Sequence, residues 1–282
     1  MSTDHGALLA RKTWLTVEPL HGMIYFIPEA TEAYEKLGLI GQDGYFASRA
    51  APMGAVAAEV VISTFFNFNP DLVRGAIPGA WDITTPDALV RARFTAVDGA
   101  CRRLLGEAVV DSEAMRRAAD LARTAAEVAT GHLEGRPLAG GHAQVPWPDE
   151  PHLVLWHAQS ILREFRGDGH IALLVTHGLS GIDALITHGA AGDVPIHLLR
   201  ATRGWSADAW EAAADSMRSR GWLAGGGDLS FTEWGQERRQ AIEDQTDVLA
   251  AAPYVALGED GCAELRTLVR PWSRIFSDVL FR

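Results

Sequence analysis

Lysine is nearly absent from this chain. Among its 282 residues only Lys12 and Lys36 are lysines, and the other basic residues are arginines. Acidic residues outnumber basic ones by 36 to 25, which gives a formal net charge of −11. Nucleic-acid binding depends on clustered basic side chains that contact phosphates. The sequence therefore predicts a surface that disfavours DNA as a partner, although one locally basic face can still bind it.

Cysteine and long apolar runs are also scarce. The chain has two cysteines, too few for a disulfide framework, so we expect two buried thiols and a cytoplasmic location. The longest apolar run, residues 51–66, is interrupted by Glu59 and is too short to span a bilayer. The first residues lack a basic segment followed by an apolar one. We therefore predict no membrane partner and no secretion signal.

The sequence motifs of nucleophilic and nucleotide chemistry are missing. There is no Gly-x-Ser-x-Gly, no phosphate-binding P-loop and no Gly-x-Gly-x-x-Gly after a strand. Close metal-ligand pairs such as His-x3-His and Cys-x2-Cys are missing as well. We therefore predict no metal site, and neither a cofactor nor a catalytic residue can be assigned from these patterns.

Helix signals and an internal similarity are what the chain does contain. Residues 38–41, Gly-Leu-Ile-Gly, recur about 140 positions later as residues 178–181, Gly-Leu-Ser-Gly. Each copy leads to a helix-start signal, at residues 69–71 and at residues 206–208. We predict a mainly α fold of two tandem duplicated units.

The predicted organisation follows from this duplication. We expect one buried helix over residues 51–66, and a helix from Pro151 that the Gly-Asp-Gly at residues 167–169 interrupts. Two related lobes tend to enclose a cleft, and we expect a ligand there. The chain divides into three predicted parts: a first helical repeat (1–106), a long helix with a Gly- and Pro-rich linker (107–150), and a second repeat (151–282).

The C-terminal part resembles a known DNA-binding domain. A capped helix over residues 206–220 is followed by a glycine turn at residues 225–227 and by Ser-Phe-Thr-Glu-Trp-Gly at residues 230–235. This order resembles a MarR-type winged helix over roughly residues 195–252. The resemblance implies a recognition helix, a wing and a homodimer. It also implies that the fold consists of tandem duplicated winged-helix-like units, with at most a short β-wing in the second, and that the repeat over residues 151–282 contains a winged helix-turn-helix.

A second resemblance covers nearly the whole chain. Residues 18–21, residues 45–52 and residues 162–170 resemble an actinobacterial family of helix-turn-helix proteins. This resemblance implies fold ancestry and no activity.

The predicted recognition helix has an outer face that is unsuitable for binding DNA. Its apolar residues recur at helical spacing and face the core. The opposite face carries Asp208, Glu211 and Asp215, whereas a helix in the major groove needs basic or amide side chains. Only Arg218 and Arg220 would favour contact with DNA. The sequence predicts that the DNA-reading surface is absent or serves another use.

Two groups of candidate ligand-binding residues lie in the first half. Glu18, His21 and Tyr25 share one helical face beside Trp14, and either contact a ligand or join the lobes. Tyr45 and Arg49 form an i, i+4 pair that either clamps a carboxylate or phosphate or makes a tertiary ion pair with Glu29 or Glu59. Phe65 belongs to an aromatic cluster that forms core or lines a pocket.

A third group lies in the second half. Its members are titratable residues of the predicted helix from Pro151, of the break predicted at residues 167–169, and of the segment that follows. They are His157, Arg163, Glu164, Asp168, His170 and His188. If the break turns the chain back, several of them bind a ligand or, as a weaker alternative, a metal. The alternative is a purely structural role, in which these residues form arginine–carboxylate pairs at a helix end and one histidine is buried.

Two functions follow from these patterns. The first is a cytoplasmic ligand-responsive regulator that binds a small molecule in the interlobe cleft, with direct DNA binding doubtful. The alternative is an enzyme in which Glu18 orients His21 as a base, or the second-half histidines act. A pure interaction module that binds a basic partner is a third interpretation.

Overall fold

A computed structural model describes residues 3–280, and most of them belong to helices. The mainly α prediction is confirmed, and an isolated antiparallel bridge joins Leu223 to Phe231, where the sequence predicts a short wing. Single-turn 3-10 helices follow α1 and α3, at Met23–Tyr25 and Ala51–Met53. The helices are α1 (Thr3–Gly22), α2 (Pro28–Glu35), α3 (Gln42–Ala50), α4 (Ala58–Phe65), α5 (Pro70–Ala76), α6 (Gly79–Ile83), α7 (Pro86–Leu105), α8 (Glu107–Val110), α9 (Glu113–Ala129), α10 (Pro137–Ala143), α11 (Pro151–Thr176), α12 (Gly181–Ala191), α13 (Ile196–Thr202), α14 (Ala207–Ser219), α15 (Glu233–Leu249) and α16 (Ala251–Leu280), which is kinked at Gly258.

The predicted helix starts are confirmed by their side-chain caps. Asn69 accepts a hydrogen bond from the Asp71 amide at 2.9 Å. Ser180 and Asp183 form a reciprocal capping box at the start of α12. The Ser206 hydroxyl accepts from the Ala209 amide at 3.2 Å. These local patterns suffice because each cap depends on residues within one turn.

Two predicted helix boundaries are wrong. Residues 51–66 are not one helix, because the chain leaves helical geometry at Gly54 (φ +84°) and α4 begins only at Ala58. The Gly-Asp-Gly at residues 167–169 does not interrupt α11, which runs unbroken from Pro151 to Thr176. Most of that helix is buried, and tertiary packing outweighs the weak helix propensity of two glycines.

The apolar side chains form two main cores. The larger core joins α1–α11 with the end of α16, and it includes Phe46, Leu89 and Phe276. The smaller core lies in the C-terminal part, from Leu174 at the end of α11 to Ile242 in α15, and includes the predicted helix-turn-helix. Residues after 151 therefore contribute to both cores.

The two similar segments share one turn geometry. Gly38 and Gly178 both have positive φ, +87° and +67°. The following amides, of Leu39 and Leu179, return to carbonyls five residues earlier at 3.0 and 2.9 Å. Both turns end a helix in the Schellman manner. This local likeness is compatible with the duplication, which stays a prediction, as do the three predicted parts.

The Gly- and Pro-rich segment before α11 packs against the fold. It contains α10, and half-buried Trp147 contacts the His157 ring edge-on at 4.8 Å. Both cysteines are free and buried, as expected, and burial raises the pKa of Cys101 to about 12.

No single helix among residues 3–280 is long and apolar enough to cross a membrane. The bent pair of α11 and α12 meets that criterion only when both are counted together.

Candidate functional site

A directed chain of hydrogen bonds starts at the end of α1. The His21 ring lies between Ser160 Oγ, 2.9 Å from Nδ1, and the Tyr25 hydroxyl, 3.0 Å from Nε2. Ser160 donates its own proton to the Trp156 carbonyl at 3.0 Å, so it accepts from His21. His21 Nδ1 therefore carries the proton, and Nε2 accepts from Tyr25. Burial, followed by the charges of Arg163 and Arg93, lowers the pKa of His21 well below 6.5, so the imidazole is neutral.

An ion-pair network built on Glu164 lies beside this chain. Arg163 Nη1 donates to Glu164 Oε1 at 2.7 Å, and Arg49 Nη2 donates to Oε2 at 3.4 Å. Arg163 also holds Glu18 at 2.9 Å, and Glu18 accepts from Trp14 Nε1 at 3.0 Å. Glu18 and His21 of α1 thus both make the polar contacts of this region. Glu18, however, bonds to Trp14 and Arg163 rather than to His21. The partner of Arg49 is Glu164, neither Glu29 nor Glu59.

The carboxyl group of Glu164 is ionised despite being 2% exposed. Burial raises its pKa, but the charges of Arg49 and Arg163 outweigh burial and lower the pKa to about 2. The buried carboxylate of Glu164 thus accepts from the half-buried guanidinium groups of both Arg49 and Arg163.

A cavity of about 120 Å³ adjoins both networks. Tyr25 and Tyr45 form part of its wall, and their rings lie 5.4 Å apart. Exposed Thr31 and Gly41 also line it, so it opens to solvent between α2 and the start of α3. The remaining lining residues are Ile24, Ala30, Tyr34, Leu39 and Ser48.

The aromatic residues after α4 pack beside this wall. Phe65 is 3% exposed and lies under the Arg49 guanidinium at 4.2 Å. Phe68 contacts Tyr45 at 5.6 Å and Phe46 at 4.9 Å between ring centroids. The cluster therefore belongs to the core and also supports the cavity.

Sequence reasoning missed several polar residues of this region. Arg93 of α7 is 2% exposed and donates to the Ser48 carbonyl at 3.1 Å. His142 of α10 is 3% exposed, and burial lowers its pKa well below 6.5. A signal existed for Arg93, because it falls on the apolar face of α7 with Leu89 and Ala96.

The predicted second-half residues lie in separate places. His157 contacts Trp147 and Phe94, and burial lowers its pKa to about 4. Since α11 is unbroken, His170 follows about 20 Å along the same helix, where its Nδ1 is 2.9 Å from Thr246 Oγ1. Within residues 3–280 no group of three His, Cys, Asp or Glu side chains is placed to hold a metal.

Asp168 and His188 have structural partners. The Asp168 carboxylate accepts from the Leu138 and Ala139 amides at 3.1 and 2.9 Å, and burial raises its pKa to about 6. His188 Nδ1 lies 3.3 Å from Asp193 Oδ2. The predicted turn that would gather these residues around one ligand is therefore not formed.

Helices α12, α13 and α14 form the segment that the sequence predicts to be the helix-turn-helix, and the name helix-turn-helix is used for this segment. A single β-bridge and α15 follow it. Trp210, Ala214 and Met217 of α14 are buried, while Asp208, Glu211 and Asp215 are exposed. The two favourable arginines are already paired. Arg218 donates to Asp215 at 2.7 Å, and Arg220 pairs with Asp183 at 2.9 Å.

Comparison with known proteins agrees with this architecture. The profile of a family described as "Helix-turn-helix family" matches residues 10–280. The chain belongs to this helix-turn-helix family. No curated protein and no solved structure matches it. The family description makes a DNA-binding regulator a candidate function, and the MarR-type likeness of the C-terminal part stays a prediction.

In this helix-turn-helix protein, residues 66–69 bind the helix-turn-helix to the large core. Trp205 Nε1 donates to the Asn67 carbonyl at 2.9 Å, and the Asn69 amide donates to the Arg203 carbonyl at 2.9 Å. Arg203 also lies over the Phe68 ring at 4.7 Å. Tyr45, which lines the cavity, therefore contacts Phe68, and Phe68 in turn contacts Arg203 in the turn before α14.

Phe66 is strained. It has φ +57° and ψ −55°, and the Asn67 amide bonds to the Phe65 carbonyl at 2.6 Å, which is the rare γ-turn. A bulky residue with this backbone geometry costs on the order of 1–3 kcal/mol. Such strain is maintained by surrounding contacts, here those to the helix-turn-helix.

Proposed function

We propose that this protein is a ligand-responsive regulator of the winged-helix type. A small molecule binds in the cavity beside the His21–Tyr25 chain, which lies within the first predicted repeat rather than in the predicted interlobe cleft, and biases how the helix-turn-helix packs on the large core. The observation that carries the proposal is the contact path from the cavity wall, Tyr45, through Phe68 to Arg203. A MarR-type likeness, a homodimer and a cytoplasmic location belong to this proposal.

Filling the mouth of the cavity is expected to remove the ligand response. Thr31→Phe places an aromatic ring at an exposed position of the cavity lining, so a bound molecule loses its space. We expect the wild-type protein, purified without a tag, to carry a small molecule that native mass spectrometry detects and that Thr31→Phe lacks.

The matched control is Thr124→Phe, an exposed helical position in α9. Hydrogen exchange of residues 196–219 should slow when the molecule is added back to the wild type and to the control. Equal exchange with and without the molecule would count against regulation.

Direct DNA reading by α14 is expected to be weak. Three exposed acids oppose the phosphates, and the nearby arginines are paired. Neutralising the face with Asp208→Asn, Glu211→Gln and Asp215→Asn together should raise non-specific DNA affinity at least about tenfold at low salt. A gel shift across salt concentrations measures this. Tight binding by the wild type, with no gain in the triple variant, would show that DNA is read by α14 as it stands.

Acid–base catalysis is the second candidate, favoured by the directed Tyr25–His21–Ser160 chain. The hydrogen bonds orient the neutral His21 ring toward the Tyr25 hydroxyl, as a general base requires, although the lowered pKa of His21 makes the ring a weak base. The two functions differ in what happens to the bound molecule. An enzyme returns it chemically changed after incubation, whereas a regulator returns it with the same mass.

A further inference from the structure

A second, smaller cavity lies in the large core, where α7, α9 and α11 meet the 3-10 helix after α1. Its volume is about 10 Å³, which is room for one ion or one water rather than for an organic molecule. One of the chain's two cysteines and two of its five methionines line it, namely Cys101, Met23 and Met115. His152 lines the same cavity, and none of the other lining residues carries a charge. Sulfur ligands and one imidazole are thus gathered at a single point.

His152 presents the tautomer that binds a metal. It is 3% exposed, and its Nε2 lies 2.8 Å from Asp98 Oδ1. An ionised carboxylate only accepts, so Nε2 carries the proton and the neutral ring keeps a lone pair on Nδ1. That Nδ1 is buried and has no hydrogen-bond partner. Metal-binding histidines donate their other N–H to a carboxylate in the same way, which fixes the orientation of the ring.

The thiol of Cys101 lies in a negative electrostatic environment. Burial, and then the charge of Asp98, raise its pKa to about 12. The carboxylate that disfavours a bare thiolate favours a cation at the same place. A monovalent ion bound to the thiolate makes a neutral pair, which an apolar core accommodates better than a separate charge. The thiol proton leaves to solvent as the metal–sulfur bond forms, and no electron is transferred.

We propose that this cavity binds one Cu(I) ion through Cys101, His152 and the thioethers of Met23 and Met115. Thiolate and thioether sulfur are soft ligands that select Cu(I), whereas protein Zn²⁺ sites use thiolate, imidazole and carboxylate. Metal bonds to nitrogen and sulfur of about 2.0–2.3 Å are shorter than a hydrogen bond to water of roughly 2.9 Å. An ion in the cavity can therefore approach ligand atoms that a water does not touch.

The sequence patterns of metal sites do not mark this cavity. Each ligand comes from a different element, so the spacing along the chain carries no motif. Within residues 3–280 no metal-binding group consists of His, Cys, Asp and Glu alone, and here two of the four ligands are methionines. The site is separate from the cavity beside Tyr25 and Tyr45 and does not depend on the proposed function.

The test is transfer of Cu(I) from its bicinchoninate complex to the whole chain under anaerobic conditions. We expect one ion per chain, seen as loss of the colour of the complex and as a sulfur-to-copper charge-transfer band in the ultraviolet. Because one thiol proton is released, the apparent affinity should rise about tenfold per pH unit near neutral pH. Zn²⁺ should bind at least about tenfold more weakly. Failure of the protein to take up Cu(I), or equal affinity for Zn²⁺, would overturn the proposal.

Variants locate the ion. Cys101→Ser should abolish the transfer, and Met115→Leu, a volume-conserving exchange that cores tolerate, should weaken it at least about tenfold. Cys262→Ser and Met217→Leu are the matched controls, because both residues are buried but neither lines this cavity. Equal losses in the test variants and the controls would place the copper elsewhere and overturn the proposal. The wild type and Met115→Leu decide it even if Cys101→Ser does not fold.

Discussion

Glu164→Gln is expected to destabilise the protein strongly. The substitution leaves the half-buried guanidinium group of Arg49 without its only carboxylate, while Arg163 keeps Glu18 as a partner. Breaking a buried ion pair in this way costs roughly 3–5 kcal/mol. Urea unfolding at pH 7, followed by circular dichroism, measures the loss.

The pH dependence of the free energy of unfolding measures the same interaction independently. The pKa of Glu164 is about 2 in the folded protein and about 4.3 in an unfolded chain. Because the folded value is the lower one, its contribution is complete above about pH 4.3 and is lost as pH falls toward 2. The difference corresponds to roughly 3 kcal/mol at neutral pH. In Glu164→Gln this part of the acid sensitivity should be absent.

Buried histidines add an earlier acid-sensitive range. Burial lowers the pKa of His157 to about 4, so its stabilising contribution is complete above about pH 6.5 and is lost as pH falls toward 4. This loss of stability between about pH 6.5 and 4 should persist in Glu164→Gln. The contributions of His157 and Glu164 can therefore be measured separately.

The control for Glu164→Gln is Glu264→Gln. Glu264 makes two hydrogen bonds to Arg117, at 2.8 and 2.6 Å, but this pair is exposed. Solvent and salt screen exposed pairs, so the control should unfold almost as the wild type does. If both variants lost the same stability, burial would not be the reason for the importance of Glu164.

Gly181→Ala is expected to loosen the helix-turn-helix from the large core. Gly181 is the first residue of α12, and an added methyl group would overlap the Phe66 carbonyl oxygen. The Phe66 backbone cannot retreat easily, because the following residues are bonded to Trp205 and Arg203. Overpacking against backbone costs roughly 1–3 kcal/mol.

The measurements are hydrogen exchange and limited proteolysis of residues 177–205. Both should increase in Gly181→Ala, while the large core keeps its protection. Gly75→Ala in α5 is the matched control, since no atom lies within 4 Å of its added methyl group. It should be neutral or more stable by about 0.4–1 kcal/mol. Unchanged exchange in Gly181→Ala would mean that residues 66–69 do not hold the helix-turn-helix.

Both experiments probe parts of one proposed mechanism. Glu164 binds Arg49, which in turn donates to the cavity-lining Tyr45, and Gly181 marks where the large core meets the helix-turn-helix. A ligand that moves Tyr45 acts on Phe68, which lies against Arg203 at that junction. The γ-turn at Phe66 stores strain there, so a small change in contacts can shift the balance between two packings.

The sequence by itself determined features that depend on near neighbours. Caps such as Ser180 and Asn69 act within one turn, and they predict the helices that they begin. The acidic outer face of α14 also follows from helical spacing alone. Charge and residue type along one helix are sufficient for such inferences.

Only the tertiary structure decided which distant residues meet. Arg49 pairs with Glu164, 115 positions away, and His21 bonds to Ser160, 139 positions away. Burial of α11 also kept that helix continuous through two glycines and separated His157 from His170. The physical reason is that propensities contribute less than about 1 kcal/mol per residue, whereas packing and buried charge pairs contribute several, and those depend on how helices dock.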